Sequence, residues 1–145
     1  MTDQLILNFP IVKNYLKEDF YVSSSNKEAY DYIISWPKWV KRIVNIFGPP
    51  GSGKTHISSI LNSKTSILEI DAKSLDDDIF FKCKTRELII VRNLDQKVDE
   101  NIFFSLWNTI VHDNKYFLIT SINPINTYSF KLKDLKSRVN SCASI

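Results

Sequence analysis

The 145-residue chain is 43% hydrophobic and 24% charged, which is the composition of about one globular domain and excludes a globally disordered chain. Nineteen basic against sixteen acidic residues leave a net charge of +3, too mild to argue nucleic-acid binding, so strong direct binding to DNA is not expected. Lys, Asp or Asn interrupts every apolar run before it reaches membrane-spanning length, and Met1-Thr2-Asp3-Gln4 lacks a basic leader region; the default expectation is a cytoplasmic protein with no membrane partner.

Residues 1–10 read as an extended N-terminal tail and residues 11–145 as one α/β nucleotide-binding domain. In the tail, Gln4-Leu5-Ile6-Leu7-Asn8-Phe9 is a short apolar segment ahead of Pro10, which discourages a helix through it. It reads either as an edge strand or packed tail, or as a peptide ligand whose Gln4, Leu7 and Phe9 offer one amide and two apolar anchors to a partner's pocket. Ser23 to Asn26 followed by Glu28 resemble a capped helix start, with Ala29, Ile33 and Ile34 on one face and Pro37 ending the helix near Trp36.

Arg42 to Phe47 reads as a buried strand, and the residues after it, Gly48-Pro49-Pro50-Gly51-Ser52-Gly53-Lys54-Thr55, fit the phosphate-loop pattern G-x-x-x-x-G-K-[ST]. The chemistry explains the residue types: glycines let backbone N–H groups close around phosphate while the lysine supplies charge. His56 follows on a helix expected from Lys54 to Leu61, whose N-terminus would face the anion. Nucleotide binding, ADP or ATP, is the firmest expectation, and Mg²⁺, if bound, would fall to the Thr55 hydroxyl.

Further along, strands are expected at Ser66 to Asp71, Glu87 to Val91 and Tyr116 to Thr120, with a fifth beginning at Cys142 to Ile145. Asp76-Asp77-Asp78 reads as a solvated turn or helix start. Asp99 to Val111 reads as a helix with Ile102, Phe103, Leu106, Trp107 and Ile110 inward, and Asp134 to Arg138 as one short helical turn. Cys83 and Cys142 lie far apart without a C-x-x-C pattern and read as reduced thiols. Strands alternating with helices imply a P-loop NTPase core: a mostly parallel five-stranded sheet covered by helices on both faces, with nucleotide beyond the carboxyl ends of the strands.

The strand near the phosphate loop departs from that plan. In such nucleotidases its end normally offers an Asp for Mg²⁺ and an acid that orients water. Here Leu88-Ile89-Ile90-Val91 runs into Arg92-Asn93, a cation and an amide, so metal binding is weakened and self-hydrolysis should be weak or absent. Asp95 is the nearest acid and needs a bulge or tight turn to take that place. Arg92 either offsets phosphate charge or points to solvent.

Taken in order, these stretches resemble the DnaA-related AAA+ family, and within it the Hda-type regulators of the replication initiator. Gln4 to Phe9 looks like the peptide with which those regulators bind the DNA polymerase sliding clamp, which implies Gln4, Leu5, Leu7 and Phe9 as clamp contacts. Phe20-Tyr21-Val22-Ser23-Ser24-Ser25-Asn26 is similar to the segment beside the adenine, which implies Tyr21 and Val22 there; Ser24 replaces the usual glycine. Leu118-Ile119-Thr120-Ser121 with Asn123-Pro124 resembles the sensor 1 strand and its following turn, and Asp134-Leu135-Lys136-Ser137-Arg138 the D-L-x-S-R box. By length, the family's helical lid domain is not expected within this sequence.

The resemblance implies a clamp-docked regulator in which Arg138, presented in trans, promotes hydrolysis of ATP bound to the DnaA initiator, with Asn123 at the sensor 1 position. It also allows a homo-oligomer. The alternatives are a generic P-loop ATPase, or a DnaA-like module that binds DNA or loads a helicase.

Overall fold

A computed structural model describes residues 4–8, 27–39, 41–49, 61 and 66–142. In chain order the elements are β1 (Gln4–Asn8), α1 (Lys27–Ile34), β2 (Ile43–Phe47), β3 (Ile67–Asp71), α2 (Ile79–Lys82), β4 (Leu88–Leu94), α3 (Glu100–His112), β5 (Tyr116–Ser121) and α4 (Lys133–Cys142). The five strands form one sheet in the order β1-β2-β5-β4-β3, and every pairing is parallel.

Parallel strands covered on both faces need apolar residues at consecutive positions, and β4 shows it: Leu88, Ile89, Ile90 and Val91 are all fully buried. Alternation sorts them between two cores. On one face Ile89, Val91, Phe117 and Ile119 pack against α3 and α4; on the other Leu88, Ile90, Val44 and Leu118 pack against Ile33, Trp36, Trp39 and Leu61. Trp36 and Trp39 both meet the Tyr116 ring edge-on, at 5.9 and 5.8 Å between centroids, and so fasten the turn after α1 to the start of β5.

Helix α3 forms as its spacing predicts. Asp99 caps it by accepting from the backbone N–H groups of Asn101 and Ile102, and Phe103, Leu106, Trp107 and Ile110 make its buried stripe. Asp76 to Asp78 are exposed and lead into α2, a solvated helix start.

Two expectations are corrected. The strand expected to begin at Cys142 does not begin there: Cys142 is the last residue of α4, residues 143–145 lie outside the described set, and among the described residues the fifth strand is β1 at the sheet edge. The single turn expected at Asp134 to Arg138 is the front of a ten-residue helix, sustained because Leu135 and Val139, one turn apart, are both fully buried.

Candidate nucleotide site

The topology reverses between β2 and β5. After β2 the chain reaches Leu61 in the core beneath α1, whereas after β5 it reaches Ile125 and Tyr128 in the core beneath α3. Diverging connections open a crevice at the carboxyl ends of these strands, the place where open parallel sheets bind ligands. Gly48, the first phosphate-loop residue, sits at that point and donates from its N–H to the Ser121 carbonyl at 3.1 Å. A cleft of about 390 Å³ opens beside it, lined in part by Lys73, Asn93, Asp95, Ser121, Asn123 and Tyr128.

A buried amide builds this end of the sheet. Asn45 on β2 is fully buried; its Nδ2 donates to the Ile119 carbonyl and to Ser121 Oγ, both at 3.0 Å, and its Oδ1 accepts from the Ile125 N–H at 3.2 Å. Ser121 Oγ in turn donates to the Asn123 carbonyl at 2.7 Å. The strand that delivers the phosphate loop is thereby tied to the turn carrying Asn123. Asn123 itself is exposed and lines the cleft.

β4 runs past its expected end at Val91 through Arg92 and Asn93 to Leu94, because β5 continues to offer partners as far as Ser121. Between the pairs Val91–Ile119 and Leu94–Ser121, β4 spends one residue more than β5, so the strand bulges. Asn93 takes the left-handed backbone at φ 60°, unusual outside glycine but commonest for asparagine. It is held there: its N–H donates to Thr120 Oγ1 at 3.0 Å and its Nδ2 to Asp71 Oδ2 at 2.8 Å. The bulge leaves Asp95 on the cleft wall, with Oδ1 accepting from the Lys97 N–H at 2.8 Å.

Arg92 neither reaches free into solvent nor stands as an unneutralised cation. Its Nε lies 2.9 Å from Glu69 Oε2 on β3, an ion pair without the alignment of a hydrogen bond. Asp71, next along β3, feels partial burial, which raises its pKa, but the Lys73 N–H and the Asn93 amide, with the charges of Arg92 and Lys73, outweigh this and hold the carboxyl below its usual value. At this strand end β4 therefore presents a guanidinium paired with Glu69 and an amide whose Nδ2 is bonded to Asp71. Among the described residues no group of three His, Cys, Asp or Glu converges as a metal cage.

Arg138 stands on the exposed side of α4, and its Nη2 donates to Asn108 Oδ1 on α3 at 2.8 Å. Asp134, Ser137 and Phe104 line the same shallow cavity of about 370 Å³. The segment leading into α4 is fixed by Glu100, whose Oε1 accepts from the Lys131 and Leu132 N–H groups, each at 2.8 Å.

Of the remaining sequence-derived positions, Gly48 and Pro49 are described, while Pro50, Gly51, Ser52, Gly53, Lys54, Thr55 and His56 lie outside the described residues, as do Tyr21, Val22 and Phe9. Gln4, Leu5 and Leu7 lie within β1. The structural roles of Asn45, Glu69 and Asp71 were not anticipated, although a signal existed: each interrupts or ends an otherwise apolar strand. Cys83 is a fully buried free thiol. No helix among the described residues is long and apolar enough to cross a membrane.

No family model and no curated protein matches the chain. Solved structures do. AMPPCP-bound DnaA from Aquifex aeolicus superposes with a TM-score of 0.69 at 18% identity, covering 90% of this chain and 49% of that one. A DNA replication initiation factor gives 0.67 at 17% identity, with 90% and 48% covered, so the chain spans about half the length of these two structures. A protein from Neisseria meningitidis solved in solution gives 0.53 at 22% identity, with 86% and 85% covered. Parallel sheet, switch-point crevice and these superpositions agree on one architecture: the chain shares the α/β fold of these DnaA and initiation-factor structures.

Proposed function

We propose that this chain is a nucleotide-binding AAA+ regulator of chromosomal replication initiation, docking on the DNA polymerase sliding clamp and promoting hydrolysis of DnaA-bound ATP through Arg138 in trans. ADP or ATP binds at Gly48 to Thr55 beside Tyr21 and Val22, and the clamp is engaged by Gln4, Leu5, Leu7 and Phe9. The observation that carries this reading is the Arg92–Glu69 pair. It occupies the strand end where a hydrolase needs carboxylates, so the nucleotide serves as a structural effector and the consequential charge is Arg138. Support for the finger comes from its exposure on α4 and from the Asn108 contact that orients it.

A second reading has one observation in its favour: the bulge at Asn93 leaves Asp95 on the cleft wall, where a carboxylate could orient water for the chain's own hydrolysis. A turnover assay separates the two. The regulator reading expects negligible ATP hydrolysis by the chain alone and acceleration of hydrolysis when DnaA and clamp are present. Robust, partner-independent turnover that Asp95→Asn abolishes would establish the second reading instead.

A further inference from the structure

Three of the four residues assigned to clamp docking, Gln4, Leu5 and Leu7, also belong to a strand of the sheet. Gln4 to Asn8 pair with Ile43 to Phe47 in unbroken parallel register, Gln4 opposite Ile43 and Asn8 opposite Phe47. Among the described residues β1 stands at the sheet edge, with β2 as its one neighbouring strand. Resting on the docking reading above, we propose that this segment is shared: it either completes the sheet or engages the clamp, and the clamp binds the chain only after β1 has left β2.

The geometry makes the two states exclusive. A paired strand lies about 4.8 Å from its neighbour along its whole length, leaving no space on that side for the wall of a second protein's groove. Gln4, Leu5 and Leu7 all fall within the five paired residues. A groove that takes Gln4 and Leu7 as anchors has to surround a segment that β2 flanks. An edge strand is the one member of a sheet that can depart without breaking a second ladder, since release of β1 leaves the β2–β5 pairing in place. The clamp therefore meets a binding-competent fraction, and its apparent affinity is the intrinsic one reduced by that fraction.

The test uses the full chain carrying Asn8→Cys and Phe47→Cys in a Cys142→Ser background, substitutions at directly paired positions, where strand spacing suits a disulfide. Reduced protein should bind immobilised clamp as the unsubstituted chain does, and the oxidised form should bind about tenfold or more weakly, recovering on reduction. Oxidised binding within about twofold of reduced overturns the shared segment and leaves the docking reading standing. If neither the unsubstituted chain nor the reduced variant binds clamp, the docking reading falls and this proposal with it. A second measurement needs no substitution: saturating clamp should speed hydrogen exchange of the β2 amides that face β1, at residues 43, 45 and 47, and unchanged protection of these overturns the proposal.

Discussion

A single amide sets the spacing of the candidate site. Asn45 satisfies three buried groups at once, two acceptors on β5 and the Ile125 N–H, and no other side chain of similar size supplies two donors and an acceptor there. Asn45→Ala should lower stability by about 1–3 kcal/mol, the range for leaving buried partners unsatisfied, and Asn45→Asp should not restore it because a carboxylate cannot donate. Chemical denaturation measures both. On β3, where it accepts from the Asn93 amide, Asp71 has its folded-state pKa depressed, so its contribution to stability is present above its unfolded pKa and is lost as pH falls through the folded value. Asn93→Ala removes one donor and should raise the Asp71 pKa toward its ordinary value, which an NMR titration of the carboxyl carbon reads directly; an unmoved titration would refute the assigned contact. These residues were only half legible. Asn45 and Glu69 stand out as polar interruptions of apolar runs, but their partners on β5 and β4 become neighbours only when the sheet forms.

Elements were easier to read than their ends. The run Ser66 to Asp71 is the strand Ile67–Asp71, and Asp99 to Val111 is a cap plus the helix Glu100–His112, because period and capping are local properties. β4 outran its apolar stretch since its continuation depends on β5 rather than on its own composition, and α4 outran its motif because burial of Val139 sustains a further turn. β1 was legible as a segment with two readings, and its place beside β2 is a matter of topology that no local pattern contains. The packing of α3 on the sheet carries a prediction at this scale. Trp107 meets Phe103 and Phe117 edge-on, at 5.9 and 5.7 Å between centroids, and is 1% exposed. Trp107→Ala should cost about 3–5 kcal/mol, as large core truncations do, and a loss below about 1 kcal/mol would mean that α3 repacks around the void.

At the scale of the molecule, the parallel sheet separates two jobs. Its carboxyl ends gather Gly48, the Asn93 bulge and the Ser121–Asn123 turn around one crevice, while α4 carries Arg138 on an outer surface of α3. The phosphate-loop pattern made the crevice legible from the sequence. What the sequence left open was the fate of Arg92, and its pairing with Glu69 is the observation on which the proposed regulator role rests. The measurement that tests this most directly is hydrolysis of DnaA-bound ATP in the presence of clamp, comparing the unsubstituted chain with Arg138→Ala. The account predicts that Arg138→Ala keeps its own nucleotide and clamp binding but loses the stimulation, which for arginine fingers in GTPases reaches about 10³- to 10⁵-fold. Stimulation undiminished by Arg138→Ala would contradict it.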